Sequence, residues 1–230
     1  WIGDYGAFTI MPQSGRKLTN ATARDSAYRP EKTVFKPHHF RTKFPANGIV
    51  FEMTPTERGA IFRFQFPTDA DARVIIDPLK GESVASLLED KKTVVGFTRG
   101  ATGGVPEGFA HYFVAVFDRE VESAETFEHK EGAQGIAIEL GANGGPLTMR
   151  VATSFISEEQ AFRNLASEIG EAGFDEILSR AEKTWEENLG RIEVDDDDER
   201  KLRTFYSCLY RTQLFPRLWH EFDADGQPIH

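Results

Sequence analysis

Leu147-Thr148-Met149-Arg150-Val151-Ala152-Thr153-Ser154-Phe155-Ile156-Ser157-Glu158-Glu159-Gln160-Ala161-Phe162-Arg163-Asn164-Leu165 decides the fold, because the hydrophobic period changes inside it. Up to Phe155 the pattern has period two, with Leu147, Met149, Val151, Thr153 and Phe155 on one face of a strand. From Ser157 it becomes helical. Ser157-Glu158-Glu159-Gln160 fits a capping box, in which the Ser hydroxyl accepts the Gln160 N–H and the Gln side chain reaches back. Ala161, Phe162, Leu165, Ala166 and Ile169 then form one apolar stripe. The chain is therefore mostly β up to this point and helical after it.

Working toward the N-terminus, Phe62, Phe64 and Phe66 alternate with Arg63 and Gln65. Both faces of Tyr112–Phe117 are apolar, which predicts a central strand. Ile136, Ile138 and Leu140 line one face of another. Further strands are expected around 7–11, 48–54, 72–77 and 93–98, separated by turn chemistry at Pro45-Ala46-Asn47-Gly48, 99–104 and 141–146. At least eight strands with no intervening helix imply antiparallel sheets, and two apolar sheet faces cover each other in a sandwich.

Toward the C-terminus, Gly170 and Gly173 end the first helix. A second carries Phe174, Ile177, Leu178, Ala181, Trp185, Leu189 and Ile192 at helical spacing, and a third runs from about Glu199 to Leu214 after Asp195-Asp196-Asp197-Asp198. Phe205, Tyr206, Leu209 and Leu214 give that third helix more apolar surface than one short helix buries alone, so the chain reads as one module of a larger protein. Cys208, the single cysteine, falls on the inner side of the pattern and is expected as a buried small hydrophobe.

Composition narrows the function classes. A net charge of −10 opposes nucleic-acid binding, which needs cationic surface. No apolar run approaches the ~18 residues of a bilayer span. One cysteine excludes an internal disulfide framework and cysteine-based zinc. His38 and His39 are adjacent on a strand and point to opposite faces, so they do not share one ion. The four aspartates lack the glycine and bidentate Glu of a calcium loop, and are read as a solvated helix start. The glycine-rich turns lack the Gly-Lys-Ser/Thr of a phosphate loop, and no Gly-x-Ser-x-Gly elbow occurs. Asn20-Ala21-Thr22 is a formal glycosylation acceptor. With 37 Asp and Glu, no acid/base pair is singled out by sequence. Trp1-Ile2-Gly3-Asp4-Tyr5-Gly6 stands apart, with two aromatics and two glycines around an acid, immediately before a strand. It reads either as a sugar-stacking loop with a carboxylate for hydroxyls or as a structural turn with packed rings.

Three blocks resemble glycoside hydrolase family 92, the calcium-dependent α-mannosidases. The first is Gly3-Asp4-Tyr5-Gly6 leading to Ile10-Met11-Pro12. The second is Met53-Thr54-Pro55-Thr56-Glu57-Arg58-Gly59 followed by Phe62–Pro67. The third is Ser154–Ser157 with Gln160-Ala161 and Asn164-Leu165, then Trp185, then Phe205-Tyr206-Ser207-Cys208-Leu209-Tyr210-Arg211. It departs from the family pattern at Ser207-Cys208, where Thr-Ala is usual.

The resemblance implies an antiparallel β-supersandwich of galactose-mutarotase-like type over 1–156. A helical linker over 157–198 and the first helix of an (α/α)₆ barrel over 199–230 follow. It implies an inverting exo-α-mannosidase acting on mannose-containing glycans, extracellular or periplasmic, with calcium as cofactor in the full-length enzyme. The catalytic acid, the base and most calcium ligands are expected in the barrel beyond residue 230, so no catalytic or metal residue is assigned within this chain. Trp1, Asp4 and Tyr5 are its expected substrate-binding residues, Trp1 by contact and the other two by holding the loop. The barrel of the same protein is the expected partner, with neither nucleic acid nor membrane. Two alternatives stay open: a stand-alone carbohydrate-binding sandwich, or the sandwich of another barrel-type hydrolase or phosphorylase.

Overall fold

A computed structural model of the chain describes residues 7–68, 71–78, 80–100, 105–129, 132–141, 145–214, 218 and 220–230. Alternation makes strands wherever the sequence leads one to expect them: β1 (Phe8–Ser14), β4 (Val50–Pro55), β5 (Gly59–Gln65), β6 (Ala72–Pro78), β8 (Thr93–Thr98), β9 (His111–Phe117), β11 (Gln134–Gly141) and β12 (Leu147–Ser154). Four more carry no such signal: β2 (Val34–Lys36), β3 (His39–Lys43), β7 (Ser83–Leu87) and β10 (Ser123–Glu128). They lie at or beside sheet edges, where one solvated face removes the need for apolar alternation. Phe35 on edge strand β2 is 85% exposed.

All pairings are antiparallel. One sheet has the order β1-β6-β11-β10, the other β2-β3-β4-β5-β12-β9-β8-β7. Their facing sides interdigitate in a core built on Phe62, Phe64, Phe113, Phe117, Val74, Ile76, Ile136, Ile138 and Met149. As expected, β9 is central, flanked by β12 and β8. At Gly96 on β8 a Cβ would meet the carbonyl of Val84 and stand 2.7 Å from the ring of Phe113, its cross-strand partner. The aromatic ring occupies the space that the glycine leaves.

The outer face of the large sheet is covered by α1 (Glu158–Glu168) and α2 (Phe174–Leu189), giving a second core of Ile61, Val95, Val114, Ala152, Ala161, Leu165, Ile169, Phe174 and Ile177. Ser157 caps α1 by accepting the Gln160 N–H at 3.1 Å. The reciprocal half of the capping box is not made: the Ser157 N–H donates to Ser154 Oγ at 3.3 Å, while the Gln160 side-chain N–H₂ donates to Asn164 Oδ1 (3.1 Å) and to the carbonyl of Phe222 (2.7 Å). Ala166, assigned to the apolar stripe, is exposed, and the buried face of α1 carries Gln160 and Asn164 beside Ala161 and Leu165. Gly170 closes the helix at φ +56°.

Asp198 caps α3 (Glu199–Thr212), accepting from the Arg200 and Lys201 N–H groups, as a solvated acidic helix start should. The expectation for Cys208 is overturned: it is exposed. No residue of α3 is buried, and the helix meets the rest of the chain edge-on through Tyr210 against Trp185 and by the Tyr206 hydroxyl donating to the Ile192 carbonyl. Beyond it a short hairpin follows, β13 (Glu221–Phe222) with β14 (Pro228–Ile229).

On the small sheet, a charged cluster centres on the buried Asp77 and Arg73 of β6. Asp77 receives the Arg24 guanidinium and the His129 ring, the latter at 2.7 Å, while Arg73 pairs with Glu139 at 2.9 Å. The Arg24 contact ties the long connection after β1 to this sheet.

Candidate functional site at the sandwich–helix junction

The turn between β4 and β5 is Thr56-Glu57-Arg58-Gly59, closed by the Thr56 N–H donating to the Gly59 carbonyl at 2.9 Å. Gly59 is required here, since a Cβ would run into the carbonyl of Val151 and stand 3.2 Å from Ala152 Cα. The tight approach brings the turn against the end of β12, where both the N–H and the hydroxyl of Thr153 donate to the Arg58 carbonyl at 2.9 Å.

Arg58 is the hub of the junction. Its backbone N–H donates to Glu168 Oε2 (2.9 Å) and its guanidinium reaches Glu168 Oε1 (3.3 Å), binding the turn to the C-terminal end of α1. The same guanidinium donates to the His220 carbonyl at 2.8 Å and lies 5.8 Å from the centre of the Phe222 ring. One side chain thus touches the sandwich, the first helix and the C-terminal hairpin. Arginine suits this place because its planar fork serves several acceptors at once.

A cavity of about 490 Å³ opens between the sheets beside this hub. Phe8, Phe51, Met53 and Phe62 form its walls, while Arg58 and His111 supply polar groups. Aromatic walls with a few convergent polar groups are the usual make-up of a ligand pocket. A second cleft of about 650 Å³ lies on the other side of Arg58, between α1 and the hairpin, where Arg163, Ser167, Glu168 and Asp223 face it.

His111 sits deep in the junction, with Phe8 at 5.6 Å and Phe155 at 4.7 Å between ring centres. Burial pushes its pKa down to about 4 from the ordinary 6.5. The unfolded chain therefore takes up this proton near pH 6.5, while the folded chain resists until near pH 4. Stability contributed by the neutral ring is complete above pH 6.5 and is lost as pH falls from there toward 4, amounting to about 3 kcal/mol. Urea midpoints measured across this range, on the native chain and on His111→Leu, check it. The variant should lack this part of the pH slope, and parallel slopes would refute the assignment.

Trp1, Asp4 and Tyr5, the residues singled out by the sequence for sugar contact, lie outside the described residues. The first strand residue after them, Phe8, lines the cavity. His38 and His39 diverge, His38 toward Glu182 and His39 toward Glu52, each at 3.4 Å, although only His39 stands on a strand and His38 lies in the turn between β2 and β3. Among the described residues, no three His, Cys, Asp or Glu side chains converge as metal ligands. The donor set described does not fit calcium.

Arg58 is visible in the sequence only within the family-like turn, and Asn164 only within the family-like helix. Glu168, His111 and Glu221 carry no local signal: each matters through a partner 44 or more positions away.

This section of chain is a β-sandwich whose last strand leads directly into helices, with a polar hub where the two meet. Sequence comparison places this section. Residues 1–155 match the glycosyl hydrolase family 92 N-terminal domain, and residues 160–229 match the glycosyl hydrolase family 92 catalytic domain. The chain belongs to glycoside hydrolase family 92.

Among solved structures, it resembles a family GH92 inverting mannosidase from Bacteroides thetaiotaomicron VPI-5482, at 34% identity and a TM-score of 0.92. That match covers 96% of this chain and 31% of the other. A family GH92 α-mannosidase from Bacteroides thetaiotaomicron superposes with a TM-score of 0.82 at 23% identity, covering 97% of this chain and 33% of that one, a likeness of fold. An uncharacterized secreted glycosidase of Arthroderma benhamiae is 28% identical over 229 residues, covering 83% of this chain and 29% of that protein. The chain thus spans about a third of the length of the relatives it matches.

Proposed function

We propose that this chain is the front part of an inverting exo-α-mannosidase that removes terminal mannose from glycans outside the cytoplasm, in an extracellular or periplasmic setting. The observation that carries the reading is the likeness, over 96% of the chain, to a family GH92 inverting mannosidase. The secreted glycosidase among its relatives supports the external location.

In this reading, residues 1–156 are the sandwich, 157–198 the helical linker, and 199–230 the start of an (α/α)₆ catalytic barrel. Inversion needs one carboxylic acid to protonate the leaving oxygen and one carboxylate to activate water on the opposite sugar face. Both belong to the barrel beyond residue 230, as does the calcium site of the whole enzyme.

What this chain supplies is shape. Its junction forms one wall of the substrate site, and the loop before β1 presents Trp1 to the sugar while Asp4 and Tyr5 hold that loop. A ring stacked on the C–H face of a sugar excludes water there and fixes orientation without competing for the hydroxyls. In the full-length enzyme, Trp1→Ala is expected to lower kcat/KM on α-linked mannobioses by about 1–3 kcal/mol. Unchanged turnover on the α-1,2-, α-1,3- and α-1,6-linked substrates would remove Trp1 from the site.

A stand-alone sugar-binding module fits less well, because α1 and the hairpin are already engaged with Arg58 and residues 160–229 match a catalytic domain. A phosphorylase-type partner domain has only a likeness of fold behind it, and the match of residues 160–229 to the family 92 catalytic domain speaks against it.

A further inference from the structure

The hairpin of β13 and β14 has two-residue strands and is too short to hold itself. Its turn is braced by Asp223, whose Oδ1 accepts the Asp225 N–H (2.9 Å) and the Gln227 N–H (2.8 Å). Besides the Arg58 and Gln160 contacts to His220 and Phe222, Glu221 ties it to the sandwich and to α1. Glu221 is 3% exposed, and its side-chain partners among the described residues are neutral donors. Burying a carboxylate is costly unless its oxygens are satisfied, so its retention here asks for a reason.

Two converging donors supply it. Glu221 Oε1 accepts the Phe155 N–H at 2.8 Å, from the residue just beyond β12. Glu221 Oε2 accepts from Asn164 Nδ2 on α1 at 2.7 Å. The Asn164 amide also donates to the Thr153 carbonyl (2.8 Å) and accepts from Gln160, which in turn donates to the Phe222 carbonyl (2.7 Å). Only a carboxylate offers an acceptor to both donors at once; an amide of the same shape must turn an N–H₂ toward one of them.

We propose that Glu221 is a positioning residue, which sets the register of the catalytic-domain segment on the sandwich by reading the end of β12 and the inner face of α1 together. Its effect on turnover rests on the mannosidase reading above, because it requires a substrate site spanning this junction. A displacement of about 1 Å between groups that must cooperate is enough to cost up to about a hundredfold in rate.

The test uses the full-length enzyme and three variants. Glu221→Gln is expected to accelerate amide exchange at Phe155 and through the hairpin at least tenfold, and to lower kcat on an α-mannobiose about tenfold. The double variant Glu221→Gln/Asn164→Asp remakes the 221–164 contact in reverse, with the introduced amide accepting from Phe155 through its carbonyl and donating its N–H₂ to the introduced carboxylate, but it leaves the Thr153 carbonyl without its donor. It should therefore recover part, not all, of the exchange protection and of the kcat lost in Glu221→Gln. Ile138→Val, in the sandwich core, serves as a stability control and should leave kcat unchanged. If Glu221→Gln does not fold, Asn164→Ala, which removes one donor and keeps the carboxylate, is read by the same exchange measurement.

Unchanged exchange at Phe155 and the hairpin overturns the proposal. So does equal loss of kcat in the core control, or failure of the double variant to recover any protection of the hairpin. Should the native enzyme cleave no α-mannoside, the functional reading fails while the exchange data still decide whether Glu221 sets the register.

Discussion

Arg58→Ala is expected to destabilise the junction by about 3 kcal/mol, the scale for removing one partner of a buried, hydrogen-bonded charge pair. The guanidinium side chain is 7% exposed and the Glu168 carboxylate 15%, so water screens the pair little. Alanine keeps the backbone N–H bond to Glu168 but removes the side-chain bonds to Glu168 and to the His220 carbonyl, together with the packing over Phe222. The carboxylate is then left buried with one donor in place of two. Arg58→Lys restores charge without the fork, so it cannot span Glu168 and His220 together and should recover less than half of the loss. Urea denaturation checks this, with a lowered midpoint at unchanged slope. A midpoint within error of the native chain would mean that the hub does not hold the junction.

Gly96→Ala should be more damaging still, costing about 3–5 kcal/mol or preventing folding, because no neighbour of the new methyl group can yield cheaply. On one side is the backbone carbonyl of Val84 on the paired strand, and on the other, at 2.7 Å, the Phe113 ring, itself 3% exposed in the core. Moving the carbonyl breaks the β7–β8 ladder; moving the ring opens the main core. Gly96→Ala combined with Phe113→Leu frees the space around the ring but not the carbonyl, and should recover only part of the loss. Soluble expression and the urea midpoint of both variants decide it, and a Gly96→Ala chain as stable as the native one would contradict the packing described.

These two sites differ in how far the sequence reveals them. Strands such as β8 and β9 are legible because burial on both faces writes a continuous apolar run, and α2 because its Phe174, Ile177 and Leu178 recur at helical spacing. The β2–β3 hairpin is hidden: Lys36, Arg41 and Lys43 are exposed to solvent, with Arg41 also beside Glu52, so no apolar alternation is needed. Cys208 misleads because a helical stripe reports amphipathicity and not whether a partner covers it; α3 has no buried residue.

The junction is hardest to read. Arg58 meets Glu168 across 110 positions and His220 across 162, and the Asp77 cluster joins Arg24 and His129 across more than 50. Such pairs are made by topology, which local pattern does not encode. Polar residues on a buried helix face, Gln160 and Asn164, do give a signal once α1 is known to pack on the sheet: an amide there needs partners. Glu221 has no such signal, because it becomes buried only when the hairpin docks.

The central claim is tested most directly by giving the full-length protein α-1,2-, α-1,3- and α-1,6-linked mannobiose and following the products by proton NMR from the first minutes. Release of mannose from at least one linkage, with the β-anomer appearing first, is the outcome expected of an inverting α-mannosidase. No hydrolysis of any of the three, or mannose appearing first as the α-anomer, would contradict it.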